Sequence, residues 1–141
     1  MKSSIALKIL ITAVFFIPLS SLADTLEGKI NGISCAIAGV VCPIDKLDPL
    51  VALEKDFVLQ QPDGSFYLMP NVDRAVKARL VLDDVVVTGT VNERYKSIEV
   101  DEIQTRRGGA MKVVWSEAIQ EDLRGELFGA PYNPLFNPGS N

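Results

Sequence analysis

The run from Val85 to Val100, VVVTGTVNERYKSIEV, restricts the fold of this chain more than any other stretch. Val85, Val87, Gly89 and Val91 share one parity, and Val86, Thr88, Thr90 and Asn92 share the other. This is the period of a β-strand, in residues whose branching suits a pleated surface. The polar stretch from Asn92 to Ser97 reads as a turn, after which Ile98 and Val100 alternate with Glu99 and Asp101. A hairpin results, with Val87, Val91, Ile98 and Val100 facing inward.

A second hairpin precedes it. Phe57-Val58-Leu59-Gln60 and Ser65 to Met69 flank Gln61-Pro62-Asp63-Gly64. Proline presets the turn, aspartate tolerates its next position, and glycine supplies a left-handed exit. Before this hairpin, Thr25 to Cys35 reads as a long strand bent where glycines interrupt the alternation. Ala36 to Lys46 reads as a loop, and Asp48-Pro49 as the start of a short helix. After it, Asn71 is placed to cap a helix whose apolar side is Val72, Ala75, Val76 and Leu80, with Arg74, Lys77 and Arg79 on a solvated face. Gln104 to Gly109 forms a turn, and Ala110 to Trp115 extends or adds a strand. Ser116 is placed to cap a last helix through about Leu127, with Ile119, Leu123 and Leu127 spaced by four. The predicted layout is a signal segment over 1–23, a β domain over 24–115, a C-terminal helix over 116–128 and a Pro/Gly-rich flexible tail over 129–141.

The order of bent strand, hairpin, helix, hairpin resembles that of the small exported bacterial OB-fold proteins. The stretches carrying the likeness are Leu26-Glu27-Gly28-Lys29-Ile30, Phe57 to Met69, Asn71 to Leu80, and Val85 to Val91 with Ser97 to Ile103. The resemblance implies a mainly β chain folded as a five-stranded Greek-key barrel, with one helix between the third and fourth strands and a C-terminal helical extension. It also implies a ligand- or partner-binding module rather than an enzyme.

Lys2 and Lys8 precede an apolar run from Ile9 to Leu19, and Ser21-Leu22-Ala23 places small residues where a signal peptidase reads. That apolar run falls short of the roughly 20 residues that span a bilayer. The expectation is a cleaved leader, a chain beginning at Asp24, a periplasmic or secreted location, and no stable membrane insertion after cleavage. All 18 acids lie at or beyond Asp24, whereas two of the 14 bases precede it. Twelve bases against 18 acids leave a net charge of −6 on the exported part, which disfavours nucleic acid and anionic lipid. The expected partner is a periplasmic protein or a small ligand.

The chain has no histidine. The usual general base near neutral pH and the commonest transition-metal ligand are therefore missing, and no Ser-His pairing or Gly-x-Ser-x-Gly elbow exists. No catalytic constellation, cofactor site or metal site is expected. Cys35 and Cys42 are the only cysteines, and an exported chain favours a disulfide between them. The alternatives are a metal-handling or redox-handling pair. A disulfide there closes a loop of eight residues and stabilises by roughly 2.5 kcal/mol in the chain-entropy picture. The acid pairs Asp83-Asp84, Asp101-Glu102 and Glu121-Asp122 read as solvated charge, because neighbours in a strand point to opposite faces. Tyr67, Tyr95, Arg106, Arg107 and Trp115 form a candidate ligand face, set against core packing for the aromatics and a basic hairpin end for the arginines.

Overall fold

A computed structural model describes residues 23–128. Residues 1–22 of the signal segment expected over 1–23, and the tail expected over 129–141, lie outside the described residues. Six strands form one sheet: β1 (Asp24–Gly32), β2 (Phe57–Gln60), β3 (Phe66–Tyr67), β4 (Asp84–Asn92), β5 (Ser97–Arg107) and β6 (Ala110–Ser116). Between β1 and β2 lie the short helices α1 (Ile33–Ile37) and α2 (Leu47–Leu53), with a 3-10 turn at Ile44–Lys46. Helix α3 (Arg74–Arg79) joins β3 to β4, and α4 (Glu117–Phe128) follows β6.

The strand order is β3-β2-β1-β4-β5-β6, and every ladder is antiparallel. This corrects the expected five-stranded OB-fold barrel. The sheet has six strands and is open, and the resemblance to the exported OB-fold proteins falls with the barrel. The reason lies at both edges. Arg107 and Ala110 pair across Gly108 and Gly109, whose φ of +62° and +83° make a two-residue hairpin turn that returns β6 along β5. At the far edge, β3 is two residues long. The backbone just beyond it pairs with β5 at a single parallel bridge, Leu68 to Ser97, where Leu68 N–H donates to the Lys96 carbonyl and Ile98 N–H to that of Leu68. One rung is not the ladder that closes a barrel.

The inward parity of the central hairpin is as its sequence indicates. Val87, Ile98 and Val100 are buried together with Ile30, Phe57, Leu59, Ile103 and Trp115, and half-buried Val91 packs against them. The Gln61–Gly64 turn also forms as its residues dictate: Gly64 takes φ +87°, and the Asp63 carboxylate accepts from both Ser65 N–H and its hydroxyl.

The helix after β3 departs from expectation. It starts at Arg74, and Asn71 does not cap it. The Asn71 side chain instead mimics a neighbouring strand: its Nδ2 donates to the Val100 carbonyl at 2.7 Å and its Oδ1 accepts from Val100 N–H at 2.9 Å. The basic face is not simply solvated either. Lys77 is buried, with its ammonium on both oxygens of Asp56 at 2.6 and 2.8 Å and on the Met69 carbonyl. Arg74 donates to the carbonyls of Val51 and Glu54, the C-terminal groups of α2 that lack helical partners, and lies over the Phe57 ring. These contacts tie α2 and α3 to the start of β2. Ser116 Oγ accepts from Ile119 N–H at the start of α4, as expected.

Candidate functional site

Alternation along β1 turns Leu26 and Ile30 toward the core and Glu27, Lys29 and Asn31 to the other face of the sheet. Asn31 is nevertheless fully buried, because the segment between α1 and the 3-10 turn folds over it. Its carboxamide is saturated. Nδ2 donates to the Val40 carbonyl and to Gln60 Oε1, and Oδ1 accepts from the N–H groups of Gly32 and Cys42 at 3.0 Å. One side chain therefore fixes the Cys-bounded loop to β1 and β2.

This loop is one wall of a cavity of about 730 Å³ on the outer sheet face, to which it contributes Gly39 and Val41. The β2–β3 turn supplies Gln61, Pro62 and Gly64 opposite, and the β5–β6 hairpin supplies Gln104, Arg106 and Met111. The floor follows the strand register: Gln60 lies beside Lys29, Lys29 beside Asp84, Glu27 beside Val86, and Val86 beside Gln104. Two charges of each sign line it. Lys29 and Asp84 meet at 2.9 Å, and the Lys29 ammonium also donates to the Leu82 carbonyl. Glu27 and Arg106 complete the set. Among the described lining residues there is no aromatic ring. The cavity combines an apolar surface at Val41, Val86 and Met111 with amides and balanced charge. It suits a small molecule with an apolar body and a polar or zwitterionic head.

Cys35 and Cys42 lie at the two ends of the loop. Both are free thiols in this structure, and Cys35 is within hydrogen-bonding reach of Cys42. Cys42 is buried and Cys35 half-buried. Burial, followed by the hydrogen bond and charge interaction with Cys42 and by the Glu54 carboxylate, pushes the Cys35 thiol up to about 12. Glu54 is buried beside the pair and accepts from the N–H and hydroxyl of Ser34. A side chain at Gly32 would collide with Glu54 and with the Cys42 sulfur, at 2.8 and 3.0 Å, so glycine permits this packing. Among the described residues, no group of three or more His, Cys, Asp or Glu is arranged to hold a metal ion, and the metal-handling alternative for Cys35 and Cys42 lacks a third ligand of that kind.

The five residues of the candidate ligand face do not come together. Tyr67 belongs to the core, with its hydroxyl on Glu93 at 2.7 Å, and Trp115 is buried with its indole N–H on Gln120. Tyr95 is exposed in the β4–β5 turn beneath Arg94, and Arg107 is exposed at the β5–β6 hairpin end. Only Arg106 reaches the cavity. Sequence reasoning missed Asn31, Gln60, Lys29 and Val86. One signal was present: Phe57-Val58-Leu59-Gln60 does not alternate, which marks a strand covered on both faces, and all four residues are buried. The chain matches no family model, no curated protein and no solved structure.

Proposed function

We propose that this chain is an exported, non-enzymatic binding module that takes a small amphipathic ligand into the outer-face cavity, with its loop secured by a Cys35–Cys42 disulfide. The observation that carries the reading is the cavity itself: three separate chain segments wall it, and its floor joins apolar surface to balanced charge. Export rests on the Lys2/Lys8, apolar, Ser21-Leu22-Ala23 order. No helix among the described residues is long and apolar enough to cross a membrane.

Anilinonaphthalene sulfonate, an apolar ring system with one anionic head, probes the site. Wild type is expected to bind it saturably, with fluorescence enhancement. Val86→Trp places an indole on the cavity floor, on the face away from the core, and is expected to weaken binding at least about tenfold, equivalent to 1.4 kcal/mol, with an unchanged melting temperature. Equal binding by both proteins overturns the cavity reading.

The exported protein is expected to begin at Asp24 and to weigh two hydrogens less than its dithiol form by intact-mass spectrometry. Cys35→Ser/Cys42→Ser should then lower stability by about 2.5 kcal/mol without loss of the fold. A double variant as stable as the untreated wild type would count against the disulfide.

A further inference from the structure

We infer that Cys35 and Cys42 form a thiol–disulfide exchange site, Cys35 as the entry thiol and Cys42 as the resolving thiol, and that closing their bond locks the wall of the binding cavity. The inference rests on the cavity reading above. Its geometric basis is the unequal placement of the two sulfurs. Cys35 is partly open to solvent on the five-residue helix α1, whereas Cys42 is buried against the backbone of Gly32, with its N–H on Asn31. A disulfide reagent from outside reaches Cys35 first.

The Cys35 thiolate attacks one sulfur of a reagent R–S–S–R, and the other leaves as R–S⁻ and takes up a proton. Cys42 then loses its proton and attacks the Cys35 sulfur of the mixed disulfide, releasing the second R–S⁻, which is protonated in turn. Two protons and two electrons pass from the protein dithiol to the reagent, giving the Cys35–Cys42 disulfide and two R–SH. The co-substrate is thus a disulfide, either low-molecular-weight or carried by an oxidant protein.

The consequence for the cavity follows from how weakly burial holds the loop. Ile37, Val40, Val41 and Ile44 are each more than half exposed, so little apolar area fixes the wall. It is kept in place by polar contacts: Val40 N–H on the Cys35 carbonyl, and the Asn31 carboxamide on Val40 and Cys42. Segments with few buried contacts open at small free-energy cost. A covalent bond at the loop base restricts that opening and preorganises the wall that carries Gly39 and Val41. The high Cys35 pKa makes spontaneous exchange slow near neutrality, with a rate that climbs about tenfold per pH unit while the thiolate remains scarce.

The test uses the full exported chain, reduced and then exposed to oxidised glutathione. Cys42→Ser is expected to accumulate one glutathione on Cys35, and Cys35→Ser to accumulate none over the same time. Peptide mapping of acid-quenched wild type gives the same order without relying on either variant to fold. Oxidised wild type is expected to slow amide exchange at Gly39 to Val41 at least about tenfold and to bind anilinonaphthalene sulfonate about fivefold more tightly than reduced protein. First glutathionylation at Cys42, or equal labelling of both variants, overturns the assigned order. Probe binding that Val86→Trp abolishes but redox state leaves unchanged, with equal amide exchange, overturns the locking while sparing the cavity. Probe binding indifferent to Val86→Trp removes the cavity reading and the locking together.

Discussion

Gly89→Ala is expected to destabilise the protein by about 3 kcal/mol, which for a chain of this size lowers the melting temperature by roughly 12 °C. Gly89 sits on β4 opposite Val100, at the point where the β4–β5 register shifts. A methyl group there would overlap the Glu99 carbonyl oxygen, and it would lie 2.9 Å from both the Glu99 carbonyl carbon and Val100 Cα. All three are backbone atoms of β5, so relief requires moving the strand rather than a side-chain end. The neighbouring Thr90→Ala, on the exposed face, is the control and should stay within about 0.5 kcal/mol of wild type. Thermal and urea melts of the two variants settle the matter. Equal stability would mean that the two strands do not approach so closely.

Asp56→Asn is expected to cost about 3 kcal/mol, because it strips a buried ammonium of its counter-charge. The Lys77 side chain is 3 % exposed and that of Asp56 36 %, so the lysine bears most of the desolvation. Breaking such a pair costs about 3–5 kcal/mol when the remaining charge stays buried, and the partial exposure of Asp56 places this case at the low end. Asparagine retains an oxygen for the Phe57 N–H that Asp56 Oδ1 now accepts, so the loss reports on the charge. The double change Asp56→Asn/Lys77→Met removes both members and should regain most of the deficit. Urea unfolding of wild type, both single variants and the double variant gives the coupling energy. A single-variant loss below about 1 kcal/mol would show that water reaches Lys77.

The contrast between these two positions explains how much of the fold was legible in the sequence. Alternation from Val85 to Val100 exposes the central hairpin, since period 2 can be read wherever one face is apolar and the other polar. It cannot show that a polar residue on the outer parity is itself covered. Asn31 looks like a solvated position until the Cys-bounded loop is folded over it. Lys77 follows helical spacing to the basic face, and its burial depends on Asp56, 21 positions away. The missing barrel closure has the same character. A run such as Phe66 to Met69 declares itself as extended, but whether it pairs along its length or at one rung depends on where α3 draws the chain away. The candidate site was the least legible part, because its walls come from three connections whose proximity is created by strand order alone.

Strand order also governs when this protein becomes able to fold. The first strand lies inside the sheet, and Asp24 accepts a hydrogen bond from the Val91 N–H, 67 positions later. That edge of β1 pairs with β4, and loop closure over such a span must precede any gain from the β1–β4 ladder. The N-terminal half accordingly stays without its central pairing until β4 has emerged from the ribosome. Under the export proposed above, this delay would favour passage as an extended polymer, because the sheet completes itself only after most of its length is available.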